Sequence, residues 1–305
     1  MDGHIIVRET PSLRQPHLLV GFSGWVDGGQ AATGTVKYLV RKLKATPFAE
    51  IPISDFNVFQ IPGVESLRPH SKTEDGVITD FRVPRNEFFY WKRAPSEAGR
   101  DLVMVVGVEP QLHWPEFIAE VLDFVQRLGV ASVYSVGAVL GGVPHTREPA
   151  VSCAVSEPAL KKELDQYKVR YSNYEGPSTF NTAFLAQCRE RGLKGVHLNG
   201  RAVYYPEFGI MVAYNPMVIL ALLKRLRGLL GLDVDLADLE SASHELVERL
   251  NSLEAQSAKL REYVEEMERS FVEMRYEPPI AGAPEEMIRD AEEFLRRHQR
   301  GEEPK

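Results

Sequence analysis

Three continuous apolar runs punctuate the first half of the chain: HLLVGF at His17–Phe22, DLVMVVGVEP at Asp101–Pro110, and ASVYSVGAVLGGVPHTR at Ala131–Arg147. Runs rich in Val and Leu without polar alternation predict strands covered on both faces. Helical periodicity follows each of the first two. AATGTVKYLVRKL comes after the first, and WPEFIAEVLDFVQRLG after the second, with Phe117, Val121, Leu122, Phe124, Val125 and Leu128 on one broad stripe and Gly129 as a stop. Residues 150–200 continue the alternation: a helix near Ser156–Gln166, a loop YEGPSTFN, a helix near Thr179–Arg191 and a strand KGVHLNGRAV. Strands alternating with helices predict an α/β sandwich around a largely parallel sheet. The segment 46–100 is less regular, and FRVPRNEFFYWKRAP (Phe81–Pro95) reads either as an edge hairpin or as an excursion over the sheet.

The pattern changes after Gly231. A helix at Asn215–Leu230 is apolar on most faces, which predicts burial. From Asp233 to Met274 there is then no Gly or Pro, and Leu239, Leu246, Leu253, Leu260, Met267 and Met274 recur every seven residues. A second row holds Leu236, Ser243, Leu250, Ser257, Val264 and Phe271. This predicts one long amphipathic heptad helix, packed either on its own domain or on a partner helix. The chain thus divides into an α/β globular domain (1–231), the heptad helix (232–275), and a last part (276–305) made of the breaker-rich linker YEPPIAGAP, a short helix and a disordered tail.

Composition narrows the function classes. The 305 residues are 44% hydrophobic and 26% charged, with a net charge of −7. A nucleic-acid binder would need a basic patch, so none is expected. Met217–Leu232 is broken by Lys224, Arg225 and Arg227, so no membrane span is expected, and the polar, acidic start MDGHIIVRETPSL does not read as a signal peptide. Cys153 and Cys188 form no metal-ligand spacing and read as reduced, buried thiols of a cytoplasmic protein. No metal and no cofactor is expected.

The candidate chemistry sits in loops. Gly21–Gly34 (GFSGWVDGGQAATG) lacks the Lys-Ser/Thr of a phosphate loop and the spacing of a dinucleotide fingerprint. It is either a structural turn with Asp27 capping the following helix or, at Gly24, Trp25, Gly28 and Gly29, an anion or ligand site at a helix start. YEGPSTFN offers Gly176 and Ser178 in the same two senses, Ser178 serving as a helix cap or as a ligand contact. In open α/β sheets the carboxyl ends of parallel strands converge on one crevice. Asp27, Glu109, His145 and Arg147 all fall at such ends, either as an acid–base and anion-holding set or as a buried ion network. There is no G-x-S-x-G around Ser23 and no H-E-x-x-H.

Taken in order, GFSGWVDGGQAATG, GVEPQLHWPEF, GAVLGGVPHTREPAV and YEGPSTF resemble the proteasome assembly chaperone 2 family in its bacterial and archaeal form, over roughly Pro16–Leu230. The matching positions are Gly24, Trp25, Asp27, Glu109, Pro110, Trp114, Pro144, His145, Thr146, Arg147, Gly176 and Pro177. The resemblance implies a three-layer α/β/α sandwich of phosphorylase/hydrolase type with a long C-terminal helix. It also implies self-association, with three copies as the expected number, and protein partners, since eukaryotic and archaeal relatives act as chaperones for proteasome subunits. The resulting expectation is a non-enzymatic homo-oligomer. The alternative is a hydrolase or phosphorylase-like enzyme using the Asp27/Glu109/His145/Arg147 edge on a small anion. Two departures stand out: the ending GEEPK in place of a hydrophobic-Tyr-x tail, and GPSTF in place of GPTG.

Overall fold

A computed structural model describes residues 4–59 and 67–272. The predicted strands form the middle of a nine-stranded sheet. β2 (His17–Ser23), β7 (Leu102–Val108), β8 (Ser132–Leu140) and β11 (Lys194–Ala202) are its parallel centre, in the order β7-β2-β8-β11. Beside β7 lie β6 (Arg85–Trp91), β3 (Thr46–Pro52) and β1 (Ile6–Val7), all antiparallel. Beside β11 lies antiparallel β9 (Ser152–Val155), then β10 (Arg170–Tyr171). Phe81–Pro95 therefore divides. Its first two residues end β5 (Val77–Arg82), which pairs with β4 (His70–Glu74) in a separate two-stranded ribbon. Most of the rest is β6, an interior strand between β3 and β7 rather than an edge or an excursion. Its alternation is what places it there, with Asn86 and Phe88 fully buried.

Alternate side chains of β2 sort the two layers. Leu18, Val20 and Phe22 face α2 (Trp114–Arg127) and α4 (Phe180–Glu190), in a core where Phe22, Phe117 and Phe180 meet edge to face. Leu19 faces α1 (Ala31–Lys42) and α5 (Pro216–Leu230), joined by the short α3 (Leu160–Leu164). The sheet is thus covered on both sides, the three-layer sandwich expected. Gly21 explains how closely α1 approaches: a Cβ there would stand 2.4 Å from the carbonyl oxygen of Ala32. Helix α5 is capped at both ends. Asn215 accepts from the amides of Met217 and Val218, and Gly231 closes the helix at φ 60°.

The long heptad helix is not one helix. The chain forms α6 (Ala237–Ala255) and α7 (Ala258–Ser270), separated at Gln256–Ser257. Ser257 takes extended dihedrals and its hydroxyl accepts from the amide of Leu260, so one of the two serines in the apolar row is a helix cap. In a continuous helix Glu254 and Glu268 would lie about 21 Å apart along the axis. Here both reach the same loop, at His145 and at Thr146–Arg147, so the chain turns back on itself. The stripe faces this chain's own body. Leu236 and Leu239 enter the α1/α5 core, while Leu250, Leu260 and Val264 pack with Val143, Val203, Tyr205 and Met217. The expected linker, terminal helix and tail lie outside the described residues.

Candidate functional site

Asp27 sits where β2 passes into α1. Its Oδ1 accepts from the amides of Ala32 (2.7 Å) and Thr33 (3.1 Å), and its Oδ2 from the Thr33 hydroxyl (2.7 Å). A carboxylate thus occupies the amino end of α1, where an anion would have to bind. Burial outweighs these hydrogen bonds and holds the carboxyl above its usual range. The two glycines beside it are packed against the chain. Gly29 has φ 63°, its carbonyl oxygen accepts from the Asn215 amide, and a Cβ on it would stand 2.6 Å from Asn215 Cβ; one on Gly28 would stand 3.0 Å from the Ala138 carbonyl oxygen.

Glu109 serves the first half of the same turn. Its Oε2 accepts from the amide of Trp25 at 3.1 Å, while its own amide donates to the Ser23 carbonyl. Gly24, at φ 140°, leaves the space that this carboxylate fills, since a Cβ there would meet Oε2 at 2.5 Å. Burial raises the Glu109 carboxyl as well. The turn it steadies presents Trp25 outward, 85% exposed.

His145 and Arg147 face elsewhere. The His145 amide donates to the Tyr205 hydroxyl, and Nδ1 lies 2.8 Å from the same oxygen. Nε2 lies 3.1 Å from Asn251 Oδ1 and 3.3 Å from Glu254 Oε2. These contacts fit one neutral tautomer, with Tyr205 donating to Nδ1 and Nε2–H donating to α6. Burial lowers the His145 pKa, more than Asn251 and Glu254 raise it. Arg147 pairs with Glu268 of α7 at 3.7 Å. Among the described residues, then, no hydrogen bond or ion pair joins Asp27 and Glu109 to His145 and Arg147. One pair shapes the β2–α1 turn, and the other binds the α6–α7 turn to the body. In the fourth loop the cap of α4 is Thr179, which accepts from Thr182, rather than Ser178, which is exposed. Gly176 (φ 154°) packs against the Tyr174 ring. Among the large apolar side chains, Trp25, Leu112 after β7, Leu140 at the end of β8 and Tyr174 before α4 are exposed to solvent.

Sequence reasoning missed a cavity of about 290 Å³ at the opposite, amino edge of the sheet. His17, Ser132 and Lys194, the first residues of β2, β8 and β11, line it with Arg100, Tyr134 and Glu163. Burial and the charges of Arg100 and Arg93 push the His17 pKa down to about 4, and burial pushes Tyr134 up to about 12. Its only signal in the sequence was a polar residue at the head of an apolar run. Among the described residues, no three His, Cys, Asp or Glu side chains are grouped to hold a metal, and no helix is long and apolar enough to cross a membrane.

A PAC2 family protein of Streptomyces avermitilis is 31% identical, with a TM-score of 0.70, covering 82% of this chain and 99% of that one. A proteasome-assembly chaperone homologue of Mycobacterium tuberculosis is 29% identical, TM-score 0.70, covering 81% and 99%. An archaeal proteasome activator of Pyrococcus furiosus is 26% identical, TM-score 0.62, covering 82% and 98%. No curated protein matches the chain. The sequence model of the PAC2 family matches residues 21–254, a span holding all four loops and most of the sheet, and the chain belongs to that family.

Proposed function

We propose that the chain is a chaperone-like, non-enzymatic protein of the cytoplasm that self-associates and binds a protein partner of the proteasome type through the carboxyl edge of its sheet. The observation that carries this reading is family membership, together with two similar structures described as a proteasome-assembly chaperone homologue and a proteasome activator. The geometry supports it. The carboxylates of Asp27 and Glu109 hold a turn whose outward product is an exposed indole, and Leu112, Leu140 and Tyr174 are exposed in neighbouring loops and strand ends of the sequence motifs. Exposed aromatic and aliphatic groups rimmed by polar residues suit protein recognition better than small-anion chemistry. The experiment is binding of the purified chain to the proteasome core particle from the same cells, followed by co-migration. Co-migration that Trp25→Ser weakens about tenfold without lowering the melting temperature is expected. No co-migration, or co-migration indifferent to Trp25, Leu112 and Tyr174, would overturn it. Sedimentation across a concentration range tests self-association, and the expected three copies are one of the masses it resolves.

A further inference from the structure

The β4–β5 ribbon is the part of the molecule least accounted for. It belongs to neither face of the main sheet, and a two-stranded ribbon alone in water is marginally stable. A bulge at Thr79 sorts its side chains. Because Lys72 pairs with Asp80 and Thr73 with Ile78, the residues Lys72, Glu74, Asp80 and Arg82 share one face with His70. Their charges are matched within the ribbon, Lys72 with Glu74 and Asp80 with Arg82. The bulge moves Ile78 onto the other face with Phe81, Ser71 and Thr73. Ile78 is 65% and Phe81 61% exposed, so nothing among the described residues covers this face. The outer edge of β5 is likewise free of backbone hydrogen bonds among the described residues.

We infer that β5 pairs antiparallel with β5 of a second copy, about a two-fold axis at Phe81. The sequence Asp80-Phe81-Arg82 carries the choice of occupant. Read against its own reverse, it sets Asp80 opposite Arg82 twice and Phe81 opposite Phe81. A copy in this register satisfies both free edges, doubles the apolar strip and places no like charges together. The neutral balance of the charged face gives no purchase to a strongly charged partner such as nucleic acid. The pairing deepens the self-association reading, on which it rests, and requires an even number of copies in place of the three that the resemblance implies.

The experiment is a charge swap read by sedimentation. Asp80→Arg alone and Arg82→Asp alone each place like charges opposite one another twice, and each weakens association about tenfold. An equimolar mixture of the two variants restores it, as does the double variant D80R/R82D, and this rescue shows that the variants fold. Wild-type protein that is monomeric at every concentration would overturn the self-association reading and this pairing with it. An assembly of odd number, or one whose mass ignores both single swaps, would leave self-association standing, give this face to another occupant, and overturn the pairing alone.

Discussion

Asp27 closes the amino end of α1 with three accepted hydrogen bonds. Asp27→Ala leaves two amides and a hydroxyl without their acceptor, at a cost of about 1–2 kcal/mol. Thr33→Val removes only the hydroxyl bond and costs less. Urea unfolding monitored by circular dichroism measures both, and equal losses would contradict this division of labour. The cap was legible because it is local: a carboxylate a few residues before a helix is a strong signal. The role of Glu109 was not, because the amide it holds belongs to Trp25, 84 residues earlier in the chain. His145 was legible as a strand-end residue, but its direction was not. Its place at a strand end predicts a crevice shared with Asp27 and Glu109, whereas Tyr205, Asn251 and Glu254 draw it beneath α6. Chain-end convergence fixes where a residue starts, while its partners fix where it points.

At the scale of elements, the parallel centre of the sheet was readable because strands buried on both faces leave unbroken apolar runs. Strand β6 was harder, since it alternates and contains Asn86, whose carboxamide oxygen accepts from the amide of Val108 at 2.6 Å. The heptad rows told that a stripe exists over 232–275 but not what it covers. A repeat of seven is equally satisfied by a partner helix and by a helix that turns back at Ser257. Ser257→Ala removes the α7 cap and weakens its docking by about 1 kcal/mol, seen as faster amide exchange across Ala258–Ser270 while the central strands stay protected. Ending the chain at Gly231 has a larger effect, because Leu232, Val234, Leu236 and Leu239 are buried in the α1/α5 core. Loss of these four side chains removes roughly 6–12 kcal/mol of burial, comparable to the whole stability of a domain. That truncation is therefore expected to aggregate on expression. A soluble, cooperatively folding product would show that the helical part docks more loosely than its burial implies.

Over the whole molecule, three histidines tie the fold to pH. His17 lies at the amino edge of the sheet, His197 in its centre on β11, and His145 beneath α6. Burial is the largest cause for each and lowers all three, His17 and His197 to about 4. Arg100 and Arg93 depress His17 further, while the Ser135 contact to His197, and Asn251, Glu254 and Glu268 around His145, work the other way. An unfolded histidine titrates near 6.5, so between that value and the folded one the unfolded chain binds more protons. The stability these residues contribute is complete above 6.5 and declines as the pH falls toward 4. For His197, enclosed in the core, the loss is about 3 kcal/mol; for the partly exposed His17 it is smaller. His197→Gln, which carries no group that titrates in this range, should therefore lose less stability than wild type on acidification from pH 7.5 to pH 4.5. Denaturant midpoints at the two pH values give that difference directly, and parallel losses in both proteins would show that His197 is protonated within the fold. Because His145 joins Tyr205 of the body to Asn251 and Glu254 of α6, its share should appear locally. Amide protection around Asn251 and Glu254 in α6 should fall as the pH drops below 6.5.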